Sequence, residues 1–395
     1  MPKVFYVYYF LVFTAVACNN LVSLYFREAG MTDSQMGLLF GLAPLTGLVA
    51  QPLMGTIADR SKYKNYVLYI ILVCNIIAIL LLRSARALLL MAVIQIFFTA
   101  INNCLIPVQD TITLDYCHKI GGEFAPIRLS GTIGYIVMAA ITGYIMTGSA
   151  GNLLYVYIVL FALTLAAATR LPKAPGYRRK GEKHNVLGIL KVRETRLILF
   201  SIFFLYSCMG FNYTFQPPYI TQYGGTAAHM GIALAVSSIT ELPFFTPWGR
   251  RWIRKMGIGR LLIVCNVMMA VRWSLMAAFP IPWVIILANA LHGLSVVVGT
   301  VGVVQYINDR VPPALKASGQ MALTLFSVVL ARCIGNMAGG ALADLFNSMG
   351  IEGVRMVYLL MVPLSVVVFF VWMLPLLKVS RKQEEEEHPA AADPS

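Results

Sequence analysis

The chain has 395 residues, of which 58% are hydrophobic and only 12% charged, with a mean hydropathy of +0.74. A soluble chain of this length carries about twice that charged fraction and has no need of repeated apolar runs of ~20 residues, so a soluble fold is excluded. The net charge of +14 would suit nucleic acid, but the placement of the basic residues assigns most of it to membrane topology instead.

Twelve apolar runs stand out, at about 4–26, 34–58, 66–83, 87–116, 127–147, 152–170, 197–221, 229–249, 259–279, 283–306, 317–345 and 354–377. They predict an all-α polytopic membrane protein of twelve transmembrane helices. With the N-terminus placed in the cytoplasm, 24 of the 31 Lys and Arg fall on the cytoplasmic side, four lie outside and three (Arg128, Arg272, Arg332) are embedded. That asymmetry is the positive-inside pattern and puts both termini in the cytoplasm. The seven cysteines fall in or beside the apolar runs and form no C-x-x-C, so they read as reduced, space-filling thiols. The sequon Asn212-Tyr213-Thr214 lies inside the seventh run and is discarded. Lys3 and Ala15-Val16-Ala17-Cys18 imitate a signal peptide, but the run stays largely apolar to Phe26, longer than a signal's apolar region.

The first run carries Asn19-Asn20, amides that need a partner helix or a solute inside lipid. The second ends in Gly55-Thr56-Ile57-Ala58-Asp59-Arg60-Ser61-Lys62-Tyr63-Lys64. Gly55 is expected to permit close helix approach. Asp59 sits unfavourably at a helix C-terminus and should seek a neighbouring helix N-terminus or an Arg. This stretch resembles the cytoplasmic loop signature of the major facilitator superfamily, with Lys62 where that signature usually has Gly. The resemblance implies that Gly55, Asp59, Arg60 and Lys64 take part in conformational change.

The fourth and fifth runs form a hairpin holding Asp110, Asp115 and Arg128. Spacing puts Arg128 level with Asp115 and Asp110 ~8 Å deeper; either acid is within reach of the guanidinium, and Asp115 reads as interfacial. Gly131 and Gly134 let the fifth helix pack tightly or leave room for a solute. Pro172, Pro175, Gly176, Gly181 and nine basic residues between 170 and 196 make a polar linker. The chain thus divides into an N-terminal half (1–170), a basic linker (171–196), a C-terminal half (197–378) and a disordered acidic tail (379–395). A degenerate internal repeat supports six plus six spans, a known transporter plan. In the seventh run, Gln216-Pro217-Pro218 is expected to break the helix near its outer end and free backbone carbonyls.

Three later runs each hold one ionisable residue. Glu241 lies ~18 Å from its run's start, Arg272 ~14 Å from the turn at Pro280–Pro282 and His292 ~16 Å from it. The hydrocarbon core is ~30 Å thick, so all three sit near its midplane, where such groups mark a functional site or lock helices together. Arg332 in the eleventh run needs an acceptor, Glu241 or an anionic solute.

Pro107-Val108-Gln109-Asp110, Ile127-Arg128-Leu129-Ser130-Gly131, Glu241-Leu242-Pro243, Val271-Arg272-Trp273 and Leu291-His292-Gly293 resemble the branch of the superfamily that holds the lactose permease, the phenylpropionate permease and nucleoside:proton symporters. The resemblance spans nearly the whole chain. It implies the major facilitator fold, substrate binding by Asp110 and Arg128, and proton coupling through Glu241, Arg272 and His292. Asn20, Tyr135, Gln216 and Arg332 join the candidate substrate site. Ser295 stands where the lactose permease has its proton-carrying Glu, and Tyr135 where it has a sugar-stacking Trp. Glu241 is then the one carboxyl near the C-half midplane, and is nominated as the proton carrier.

The expected function is a proton-coupled symporter of a small organic solute (an aromatic acid, a sugar or a nucleoside) working by alternating access. The alternatives are an efflux antiporter of amphipathic compounds and a non-transporting membrane receptor. The expected partners are solute, protons and membrane lipids; nucleic acid, cofactor, metal and enzymatic activity are not expected. The expected setting is the cell (inner or plasma) membrane, as a monomer.

Overall fold

The structure, a computed structural model, describes residues 2–145, 149–176, 190–311 and 316–379. Residues 177–189 of the basic linker and 380–395 of the acidic tail lie outside the described residues. Twelve long helices, labelled α1 to α12, follow one another. They are Lys3–Glu28, Asp33–Arg60, Lys64–Ser84, Leu88–Ile120, Ala125–Ile145, Asn152–Ala168, Arg193–Gln222, Ala227–Phe245, Ile258–Ala278, Pro282–Arg310, Ser318–Ser348 and Gly353–Val379. Ten are long and apolar enough to cross a membrane; α5 and α6 hold shorter apolar stretches. Exposed side chains such as Leu89, Leu287, Phe370 and Val367 coat the outside, the pattern of a bundle whose solvent is lipid.

Local chemistry explains the helix ends. Thr32 and Gln35 form a reciprocal capping box that starts α2, and Gly121 at φ 64° closes α4. The seventh helix corrects an expectation: α7 runs unbroken through Pro217 and Pro218. Both prolines, with most of residues 208–220, are buried, and packing on all sides outweighs the two lost backbone hydrogen bonds. Breaks fall elsewhere. The first helix loosens at Asn20–Leu21 and α4 at Asn103–Cys104. A 3-10 turn at Asn289–Leu291 interrupts α10, and π turns occupy Val298–Val303, Leu325–Leu330 and Phe369–Met373 of α10, α11 and α12.

Helices α1–α6 are called the N-half and α7–α12 the C-half. Within the halves α1 packs along α5, α3 along α6, α7 along α11 and α9 along α12; between them α2 crosses α11 and α5 crosses α8. Both crossings lie toward the distal face, opposite the face that carries residues 2 and 379. At the first, Gly37 and Gly340 bring the helices so close that a Cβ on either would collide with the other's backbone. The Asp344 carboxylate accepts the backbone N–H groups of Asp33 (3.1 Å) and Ser34 (2.9 Å) at the N-terminus of α2. Asn347 Nδ2 donates to Asp33 Oδ2 (2.9 Å), and Arg27 pairs with Asp33 Oδ1 (2.5 Å). Toward the terminal face α2 stands clear. Leu48, Val49 and Leu53 are exposed, and nothing lies within 4 Å of a Cβ built on Gly55. The close approach expected at Gly55 is therefore absent: the contacts of α2 with α11 lie at its other end, around Asp33 and Gly37.

Candidate functional site

The centre of the C-half is built on Arg272 of α9, which is 0% exposed. Its Nη2 donates to Asn289 Oδ1 (2.6 Å) and its Nη1 lies 2.9 Å from His292 Nδ1. A guanidinium can only donate, so Nδ1 is the acceptor and the imidazole proton sits on Nε2. Nε2 in turn meets the Tyr213 hydroxyl at 3.0 Å. His292 is thus a neutral imidazole of defined tautomer. Asn289 Oδ1 also accepts Ser237 Oγ (3.0 Å), and Asn289 Nδ2 donates to Ile285 O (2.8 Å). One amide thereby ties α8, α9 and α10 together. The guanidinium lies 4.8 Å from the Trp273 ring centroid, while its Nε has no partner.

Glu241 does not join this cluster. Among the described residues its carboxylate makes no hydrogen bond or ion pair; its electrostatic neighbours are Tyr135, Tyr206 and Tyr213. The expected grouping of Glu241, Arg272 and His292 is therefore met for the last two only. The reason is local. Gly293 packs directly on the α8 backbone at Thr240–Glu241, and the 3-10 turn before it aims His292 at Arg272 and Tyr213. Arg332 of α11 lies over the Tyr213 ring at 5.3 Å. Among the described residues its guanidinium has no acidic partner, so the expected Glu241 acceptor is not engaged.

In the N-half, the Tyr9 hydroxyl donates to Asp110 Oδ1 (2.6 Å) and lies 3.1 Å from Thr113 Oγ1. Arg128 stacks on Phe13 at 4.2 Å, with Nη1 buried and unpartnered. It forms no ion pair within 4.0 Å with either acid of the hairpin, although its charge reaches Asp110. Asp115 binds Lys64 Nζ at 2.8 Å, as an interfacial carboxylate should. Gly131 and Gly134 are filled by α1, by the Phe13 ring and the Phe10 backbone, so they serve packing rather than a solute.

One candidate residue, Tyr135, reaches from the N-half to the C-half. Asn20, at the loosened turn of α1, donates to the Tyr135 hydroxyl (2.6 Å), and Tyr135 is hydrogen-bonded to Ser238 of α8. Gln216 is turned inward: its Oε1 accepts Asn212 Nδ2 (3.0 Å) and Tyr358 donates to Asn212 (3.2 Å), leaving Gln216 Nε2 buried and unpartnered. At the start of α3, Lys64 is 4% exposed and lies between Asp115 and Asp59, the latter at 3.9 Å. Asp59 therefore takes Lys64 as its cation, and neither a helix N-terminus nor an Arg. Gly176 packs on the Asp59 and Ser61 backbone, and Lys64 N–H donates to Ala174 O (2.9 Å).

Sequence reasoning missed Tyr9, Tyr213, Ser237 and Asn289. For Asn289 there was a signal: an amide three residues before His292, on the same helix face.

The MFS_1 like family matches residues 3–351. The maltose permease of Geobacillus stearothermophilus is 30% identical over 330 residues, covering 82% of this chain and 83% of that protein. The probable 3-phenylpropionic acid transporter of Escherichia coli is 23% identical, covering 73% and 77% of the two chains. Among solved structures, the nucleoside transporter NupG superposes with a TM-score of 0.82 at 18% identity, covering 95% of this chain and 98% of that one; that likeness is one of fold. Twelve helices, two crossing halves and a charged centre agree with the family match over most of the chain: the protein belongs to the MFS_1 like family and is a multi-pass transporter of the major facilitator superfamily.

Proposed function

We propose that the protein is a proton-coupled symporter of a neutral hydroxylated solute, a sugar or a nucleoside, working by alternating access with both ends of the chain in the cytoplasm. The carrying observation is that each half presents one carboxylate and one guanidinium not bonded to each other: Asp110 with Arg128, and Glu241 with Arg332. Such a balanced pair reads hydroxyl groups, with acids accepting and arginines donating. An organic anion would meet two carboxylates as well as two cations. The amides and phenols Asn20, Tyr135 and Tyr213 add neutral donors and acceptors of the same kind. The maltose permease likeness supports a sugar, and the NupG fold is compatible with a nucleoside.

In this reading Glu241 carries the proton. Its carboxyl is half-buried and unpaired, while Arg272 and the neutral His292 are held to each other and leave it free. The conformation described, locked distally and open at the terminal face, is the cytoplasm-facing one. Lys64, Asp59 and Asp115 then belong to the cytoplasmic gate. The test is thermal stability of the purified protein against disaccharides, nucleosides and aromatic acids, for the wild type and Arg128→Ala. A ligand that binds the native state at 100 times its Kd adds about 2.7 kcal/mol of stability. Sugars or nucleosides should raise Tm for the wild type and not for Arg128→Ala. A shift with aromatic acids alone would overturn the substrate class.

A further inference from the structure

We infer that the outer seam between α9 and α12 is a binding site for a lipophilic alcohol or phenol that reaches it from the bilayer. The two helices run antiparallel and are pinned twice. Arg355 Nε donates to Ala277 O (2.8 Å) near the distal end, and Asn266 Nδ2 donates to Ser365 O (3.0 Å) deeper in. Along the seam runs a groove of about 620 Å³. Ala270, Ser274 and Ala278 line it with small side chains, and Phe279, Phe369 and Phe370 line it with rings. Its lining residues Val271, Phe279, Val366 and Phe370 are exposed, so it opens outward, where the solvent is lipid. Arg272, the neighbour of Val271, is turned away from it and bound to Asn289 and His292. The groove is therefore separate from the charged centre of the C-half.

Asn266 also lines the groove and names the missing chemistry. It stands eight residues into α9, ~12 Å from the start of the helix, within a hydrocarbon core ~30 Å thick. It is 3% exposed, and its Oδ1 is buried without a partner. The amide cannot turn over, because that would set Oδ1 against the Ser365 carbonyl oxygen. An amide oxygen left unpaired among hydrocarbon is costly, so the site lacks a donor. Water is a poor candidate, since it needs about two to four polar partners. Ser274 is two turns from Asn266, ~12 Å, and the Ser365 hydroxyl is spent on Val362 O (2.6 Å). Among the described residues no charged side chain lines the groove, so an ammonium or a carboxylate would find no counter-ion. Phospholipid tails fill such a space but bring no donor. A hydroxyl on an apolar or aromatic body supplies both parts, and the volume falls in the range of small-molecule sites.

Photolabelling of the full chain in phosphatidylcholine nanodiscs tests this. The probe is an octanol carrying a diazirine, and peptide mass spectrometry locates its adducts. Saturable labelling is expected on residues 265–279 and 362–371. The competitors are 4-octylphenol and octylbenzene, compared as mole fractions in the bilayer; they share an apolar body and differ by one hydroxyl. The phenol should displace the probe about three- to tenfold better, the worth of one hydrogen bond to a buried acceptor. Asn266→Leu should abolish that preference, and Ala270→Trp, which fills the groove and keeps the amide, should abolish the labelling. If Asn266→Leu does not fold, Asn266→Ala carries the same expectation, and the comparison of competitors on the wild type needs no variant. Equal displacement by both compounds would mean that the groove holds hydrocarbon tails only, and overturns the inference. So does labelling that never saturates and spreads over all lipid-facing helices, or a preference for the phenol that persists in a folded Asn266 variant.

Discussion

Removing the Asp344 carboxylate should loosen the distal side of the transporter. In the structure that carboxylate accepts two backbone N–H groups at the start of α2, across the boundary between the halves. Each hydrogen bond to a charged acceptor is worth about 1.5–3 kcal/mol. The helix N-terminus adds up to about 1 kcal/mol at an exposed site. Against this stands the neighbouring Asp33 carboxylate, only partly offset by Arg27. One bond's worth of net stabilisation remains, about 1.5–3 kcal/mol. At the half-exposed mouth, water recovers part of it. Asp344→Ala should therefore raise the ratio of distal-open to distal-closed molecules about tenfold. Spin labels on Ala29→Cys and Met349→Cys, exposed on opposite halves, would report the two populations as two distances in a cysteine-free background. Asp344→Asn, which keeps an oxygen but loses the charge, should fall between. If Asp344→Ala leaves the distance distribution of the folded protein unchanged, the carboxylate is no latch and the reasoning fails.

Three further outcomes are expected. Glu241→Gln should abolish uphill uptake into vesicles while exchange of solute across the membrane continues; uphill uptake that survives would remove Glu241 as the carrier. Lys64→Met should destabilise the protein by about 1–3 kcal/mol, since it leaves Asp115 and Asp59 without their buried cation. Adding Asp115→Asn should recover much of the lost Tm, and a double variant no better than the single would speak against the pairing. Gly335→Ala should lower Tm, because a Cβ there collides with the Ser207 carbonyl of α7 and overpacking costs about 1–3 kcal/mol. An unchanged Tm would mean that α7 and α11 separate freely.

What could be read from the chain beforehand was mostly what lipid enforces. Hydropathy marked all twelve helices because a bilayer demands long apolar runs, and depth arithmetic placed Arg272 and His292 at one level, where they touch. Depth alone does not give rotation about a helix axis. The 3-10 turn that precedes His292 and the contact of Gly293 with α8 separated Glu241 from the pair, and neither has a signature in residue spacing. Asn289, Ser237 and Tyr213 went unnoticed because amides, hydroxyls and phenols are scattered through these helices. Only the fold shows which of them meet. Pro217-Pro218 misled for the opposite reason: proline's local preference is strong, but burial on every side of α7 is stronger.

The three π turns fall in α10, α11 and α12, and none occurs in α1–α6 among the described residues. A π turn holds an extra residue that neighbouring turns lack, so it behaves like a dislocation in a crystal, able to travel one position while the lattice on either side stays intact. The N-half is interrupted instead by open turns at Asn20–Leu21 and Asn103–Cys104, so the two halves carry different kinds of irregularity: breaks in one, added residues in the other.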